Sequence, residues 1–207
     1  MSTSAKPQWI LFDVGGVLLD WRRGSASLAE NLGVTHDQIL DTMFKYAPEM
    51  NVGIISPQEG WQKILEDLNS NMDPQVAIEL WRDRPFWLKE SLDLLRDLHA
   101  AGYKLAILSN SWLGLSIDGR DKTMPDAMSL FSYILDSSVE KLKKPDPAFY
   151  DLAEKTINAS GSALFFIDDD APNLTPAADK GWGTYLFDMG AEGAALEAVG
   201  ALRKILL

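Results

Sequence analysis

Five short apolar runs, each ending in polar or acidic residues, constrain this chain more than any other feature. Trp9–Phe12 ends at Asp13, and Tyr103–Leu108 ends at Ser109-Asn110. Tyr133–Leu135 ends at Asp136, Ala163–Ile167 at Asp168-Asp169-Asp170, and Thr184–Phe187 at Asp188. Runs of this length read as buried strands. Helical segments lie between the later ones. Leu88, Leu92, Leu95 and Leu98 mark one helix, stopped by Gly102. Asp146-Pro147 opens a second, with a capping residue and a proline at the first helical position. Pro176–Lys180 before Gly181 reads as a short third, and Glu192–Leu207 as a fourth. Strands alternating with helices predict an α/β fold with a doubly wound parallel sheet. In such a sheet the carboxyl ends of the strands emerge on one edge, where ligands bind. The polar residues that end the runs are therefore expected to meet in one crevice.

The stretch 21–84 breaks this alternation. It carries helix starts and no convincing strand. Thr35-His36-Asp37-Gln38 reads as a capping box, and Ser56-Pro57-Gln58-Glu59 as another. Asp73-Pro74 opens a further helix. The expected organisation is a Rossmann-like core built from 1–20 and 85–207, with an inserted α-helical cap over 21–84. There is no internal repeat or low-complexity tract.

Composition removes several classes of function. A net charge of -11 over 207 residues argues against binding nucleic acid or an anionic membrane. The absence of cysteine excludes disulfides, thiolate metal sites and a cysteine nucleophile. With two histidines, His36 and His99, a histidine-rich zinc site and two-histidine phosphatase chemistry are disfavoured. No apolar run approaches membrane-spanning length, and Asp13 interrupts the first run, which lacks a basic leader. These features lead us to expect a cytoplasmic protein. Oligomeric state is not legible.

The first run carries the sharpest chemical signal. Asp13 is followed by Val14-Gly15-Gly16-Val17-Leu18. Glycines there let the backbone approach a ligand and aim amides at it. A carboxylate facing amide donors suits phosphate transfer better than core packing. Leu108-Ser109-Asn110, Lys144-Pro145-Asp146-Pro147 and Phe166-Ile167-Asp168-Asp169-Asp170-Ala171-Pro172-Asn173 follow in order. Three adjacent carboxylates repel one another unless a cation sits among them. With these four segments the chain resembles the haloacid dehalogenase-like hydrolase superfamily along nearly its whole length.

The resemblance implies roles. Asp13 would be the nucleophile. Ser109 and Lys144 would hold the phosphate with it, helped by Asn110 or by the amides of Gly15 and Gly16. Asp13, the carbonyl of Gly15, Asp169 and Asp168 would hold Mg²⁺, which prefers hard oxygen ligands. Asn173 would orient that metal shell, and Asn110 the loop or the nucleophile. The substrate would be a small phosphorylated metabolite.

One departure matters. Most phosphatases of this family carry a second aspartate two residues after the nucleophile, as general acid and base; here that position is Gly15. Losing such a group typically costs roughly 10²–10⁴-fold in rate. Gly15 therefore points to an easily expelled leaving group, and a sugar 1-phosphate is a candidate. Two other readings stay open. A 2-haloacid dehalogenase also lacks the second aspartate, but does not keep the acidic fourth segment. A non-catalytic member would bind a phospho-ligand or a partner protein. The remaining conspicuous residues have plainer readings. Trp21, Trp61, Trp81 and Trp87 read as packing between cap helices, and Arg22, Arg23 and Lys143 as surface. His36 decorates a cap helix, and His99 suits a helix C-terminus. Ser116 lacks the glycine spacing of a nucleophile elbow.

Overall fold

The structure, a computed structural model, describes residues 6–82, 86–111, 125–190 and 193–207. Ser116 and the expected 84/85 cap boundary lie outside those residues. Strand β1 (Trp9–Phe12) is followed by helices α1 (Trp21–Leu32), α2 (His36–Met50), α3 (Pro57–Asp67) and α4 (Pro74–Arg82). Then come α5 (Lys89–Ala100), β2 (Lys104–Ser109), β3 (Phe131–Asp136), α6 (Ser137–Glu140) and α7 (Pro147–Ile157). The chain ends with β4 (Leu164–Asp168), α8 (Ala171–Asp179), β5 (Gly183–Leu186) and α9 (Ala194–Leu206).

The five strands form one sheet in the order β3-β2-β1-β4-β5, with every pair parallel. Successive strand side chains point to opposite faces, so each strand feeds two cores. Ile10, Phe12, Leu105, Ile107 and Ile167 face α5 and α9, meeting Leu94, Leu95, Leu98, Val199 and Leu202. Trp9, Leu11, Ala106, Leu108 and Phe166 face α7 and α8, meeting Phe149, Tyr150, Ala153 and Ala177. Each large side chain buried this way contributes about 1.5–3 kcal/mol relative to exposure. A sheet covered on both faces explains why these strands are almost continuously apolar.

Helices α1–α4 pack around a third core of their own, centred on Leu28, Ile39, Trp61, Ile64 and Leu65. The two chain segments that lead into and out of these helices lie side by side. Asp20 N–H donates to Phe86 O and Leu88 N–H to Leu18 O, both at 2.9 Å. Both expected capping boxes form: Thr35 with Gln38, and Ser56 with Glu59. Helix α1 had no recognised start, because Asp20 makes no side-chain capping bond. Its end is conventional, with Gly33 left-handed at φ 69° and its N–H closing onto Ala29 O and Glu30 O.

Two boundaries differ from expectation. Helix α8 begins at Ala171, so Pro176 lies inside it rather than at its start. Proline there removes one backbone hydrogen bond; the fully buried Ala177 ties the helix to the sheet regardless. Residues Ser137–Glu140, read as a plain strand end, form a short helix. No helix among the described residues is long and apolar enough to cross a membrane.

Candidate active site

Strand register brings the site together. Phe12 pairs with Ile107 on one side and Ile167 on the other, so Asp13, Ser109 and Asp168 all reach the carboxyl edge beside the central strand. Here the order reverses, with β2 on one flank of β1 and β4 on the other. This is where open α/β sheets place their ligands. The strand ends farther out do not join them. Asp136 caps α6 by accepting from Ser138 N–H at 2.8 Å, and Asp188 accepts from Gly190 N–H at 2.7 Å. The expected convergence therefore holds for the three inner strands, while the carboxylates that end the outer two make local turn and capping bonds.

Asp13 is buried and held by one oxygen. Its Oδ1 accepts from Val14 N–H at 2.7 Å and from Ser109 Oγ–H at 2.6 Å, and lies 3.1 Å from Lys144 Nζ. Among the described residues no hydrogen bond engages Oδ2. Lys144 reaches this point from the loop before α7, with a fully buried side chain, and its Nζ donates to Asp168 Oδ2 at 2.6 Å. Asp168 Oδ1 accepts from Asp170 N–H at 2.8 Å and from Asn173 Nδ2 at 3.0 Å. Asp168 is thus occupied on both oxygens and acts on the lysine. Asn173 steadies Asp168, consistent with the orienting role its position suggested.

Asn110 does not turn its amide toward a substrate. Its Oδ1 accepts from Lys144 N–H at 2.8 Å, and its Nδ2 donates to Lys144 O at 3.0 Å. Both polar ends lock the main chain of the lysine. The two glycines also separate. Gly16 N–H donates to Leu19 O at 2.8 Å and is not available to a ligand. Gly15 N–H has no acceptor among the described residues, and Gly15 lines the cavity. What Gly16 supplies is room: it sits at φ +75°, and a Cβ there would run into the Asp169 carboxylate.

Asp13, Asp168 and Asp169 each place an oxygen within 4.8 Å of the others. This proximity shows in their acidity. Burial, outweighing the attraction of Lys144 and reinforced by Asp168, pushes Asp13 up to about 6. Burial, then repulsion from Asp13 and Asp168, pushes Asp169 up to about 7. Burial pulls Lys144 down, but Asp13 and Asp168 together hold it above its ordinary value. Carboxylates whose charge is under-compensated, all offering oxygen, fit a hard divalent cation.

Above this floor lies a cavity of about 520 Å³. Asp13, Gly15, Ser109, Asp169 and Asn173 form its base; Trp21, Met43, Phe44, Met50, Asn51 and Trp81 come from the helical insertion. The sequence reading took Trp21 and Trp81 as packing residues; Trp81 does pack on the core of the insertion, and both also line the cavity. A signal for this upper wall was present along α2, where residues 43, 44, 47, 50 and 51 recur at helical spacing. Trp61 does pack as expected, fully buried and 6.3 Å from Trp81. Arg22 bonds Met189 O at 2.8 Å from an exposed position, His99 is exposed, and Lys143 is half-buried. His36 Nε2 pairs with Ser25 Oγ at 2.7 Å.

A family model described as haloacid dehalogenase-like hydrolase matches residues 7–181. The chain belongs to that family. It is 32% identical over 135 residues to bifunctional epoxide hydrolase 2 of Sus scrofa, which covers 62% of this chain and 24% of that protein. It therefore spans about a quarter of that relative's length. It is 32% identical over 120 residues to an (S)-2-haloacid dehalogenase of Pseudomonas sp., covering 57% of this chain and 49% of the relative. Identity to sesquiterpene phosphatase astK of Aspergillus oryzae is 25% over 198 residues, covering 86% of this chain and 89% of the other. In fold it is similar to the HAD family enzyme bt-2542 of Bacteroides thetaiotaomicron, solved in complex with magnesium and inorganic phosphate. The TM-score is 0.66 at 24% identity, covering 89% of this chain and 96% of that one.

Proposed function

We propose that this hydrolase is a Mg²⁺-dependent phosphatase that cleaves a small phosphate monoester through an aspartyl-phosphate intermediate. The observation that carries the reading is Asp13: one oxygen clamped by Val14, Ser109 and Lys144, the other facing the cavity, with Asp169 alongside. Asp13 Oδ2 attacks phosphorus, and the bond from phosphorus to the leaving oxygen breaks. That oxygen takes a proton from water, since position 15 offers none. A second water then cleaves the acyl phosphate, releasing inorganic phosphate and restoring the carboxylate. Ser109 and Lys144 keep the attacking group oriented, Lys144 offsets charge on the phosphoryl oxygens, and Gly15 N–H is placed to hold one of them. Asp13, the Gly15 carbonyl and Asp169 would hold the cation, which supplies further charge neutralisation. Asp168 contributes through Lys144. The insertion, taken as a cap over 21–84, would close on the bound ester and exclude water.

The similarity to a protein named as a sesquiterpene phosphatase supports a phosphate ester as substrate. A second reading, 2-haloacid dehalogenase, is favoured by Gly15 and by the similarity to a haloacid dehalogenase. One assay separates them: phosphate release and halide release, each with Mg²⁺ and with chelator, for the protein and for Asp13→Asn. The phosphatase reading expects Mg²⁺-dependent phosphate release that drops at least about 10⁴-fold in the variant. Halide release indifferent to Mg²⁺ would transfer the function to the second reading. Because Gly15 demands a good leaving group, glucose 1-phosphate should outpace glucose 6-phosphate among sugar esters.

A further inference from the structure

We infer that the organic part of the substrate is apolar, a hydrocarbon-bearing phosphate monoester rather than a sugar phosphate. This rests on the phosphatase reading above and narrows it. The cavity has two unlike surfaces. Its floor carries the carboxylates, the Ser109 and Ser111 region and the Gly15 amide. Its roof, among the described residues, is Trp21, Met43, Phe44, Ala47, Met50 and Trp81, with Asn51 as the one polar side chain.

Met43, Met50 and Trp81 also pack in the core of the insertion, and two further observations favour a ligand on the face that the roof turns to the cavity. Phe44 is 57% exposed although it stands edge-on to Trp21 at 5.7 Å, so the fold leaves a large aromatic face uncovered over the site. Lys45, the next residue on α2, points away and binds Asp67 at 2.6 Å, so it offers no charge to a second anionic group. A sugar under this roof would bring several hydroxyls against one amide. Hydroxyls desolvated without partners weaken binding, whereas an alkyl or aromatic group gains by burial there. The volume, about 520 Å³, falls within the range of roughly 300–1,000 Å³ that takes sizeable organic ligands. The substrate would lie head down, its phosphate on Asp13 and its chain along α2. An aromatic or other electron-withdrawing apolar group also answers the demand of Gly15 for an easily expelled oxygen.

The experiment is a homologous series. kcat/KM is measured with Mg²⁺ for ethyl, butyl, hexyl and octyl phosphate, with acetyl phosphate and glucose 6-phosphate, likewise an ester of a primary alcohol, beside them. Dissociation constants of the matching n-alkylphosphonates, which cannot be hydrolysed, are measured by calorimetry. The expected result is a gain of up to about fourfold per methylene in both series, with hexyl phosphate ahead of glucose 6-phosphate. Phe44→Ala should flatten the slope, losing more on octyl than on ethyl phosphate. A flat series in both readouts, or glucose 6-phosphate ahead of every alkyl ester, overturns the inference. Failure of the phosphatase reading looks different: no phosphate is released from any ester, acetyl phosphate included. In that case the phosphonate slope alone decides whether the roof selects hydrocarbon.

Discussion

The floor and the roof of the cavity are built on opposite terms. On the floor the supporting groups are paired with one another, while Asp13 Oδ2 and the Gly15 N–H have no partner among the described residues. Asp168 accepts three donors, Asn110 uses both ends of its amide on Lys144, and Ser109 is committed to Asp13. On the roof Phe44 stands exposed, and Asn51 Oδ1 is buried without a partner. A pre-paired network holds reacting groups in place before substrate arrives, as electrostatic catalysis requires. An apolar wall with few directional demands selects by shape and hydrophobicity instead. Changes on the floor should therefore alter rate and stability together, while a change at the exposed Phe44 of the roof should alter preference and leave the fold intact.

Asp168→Asn should break the floor most severely after loss of the nucleophile. Removing one partner of a buried ion pair costs about 3–5 kcal/mol, softened here because Lys144 keeps Asp13. The unfolding free energy from denaturant curves at unchanged m should fall by about 3 kcal/mol, with turnover falling too. A variant as stable as the parent would show that Asp168 is not what holds the lysine. Gly15→Asp should add a group the floor lacks. Among the described residues a Cβ there meets only Trp21 Cδ1, at 3.4 Å, so the backbone admits a side chain at that position. Turnover of esters with poor leaving groups should rise by about 10²-fold. No change would argue that water or a cap residue already protonates the leaving oxygen.

Acidity gives a finer test. The folded chain keeps protons on Asp13 up to about 6 and on Asp169 up to about 7, whereas unfolded aspartates lose theirs near the ordinary value. Between those limits the native state binds more protons, so metal-free stability falls as pH rises from about 4 to 7. Mg²⁺ competes for the same carboxylates, and its stabilising shift in melting temperature should be larger at pH 7.5 than at pH 5. Equal shifts would place the cation elsewhere. The smallest effect belongs to the roof: Phe44→Ala should change stability by less than about 1 kcal/mol, measured by the same denaturant curves. A larger loss would make Phe44 a packing residue and weaken the contrast.

The two cores of the sheet were readable because both follow local rules. Apolar runs of strand length alternate with capped helices, and the Thr35 and Ser56 boxes are written in four consecutive residues. Helix α1 was unreadable for the matching reason, since its start has no capping side chain. Asp13, Ser109, Lys144 and Asp169 were recoverable because each ends a run or sits in a patterned turn. Their pairings were not. Nothing local says that Asn110 faces the Lys144 backbone, or that Gly16 makes space for Asp169 while Gly15 keeps a free amide.

The chain's linear order thus determined its strands, most of its helices, its family and the set of candidate catalytic groups, because periodicity, capping and motif spacing act over a few residues. Only the folded arrangement decided which atoms meet: Lys144 between two aspartates 131 and 24 positions away, and an apolar stripe of α2 suspended over the acids. Those contacts depend on strand register and on how one helix lies above the sheet. Such long-range geometry is set by the packing of whole elements, and no short stretch of residues encodes it.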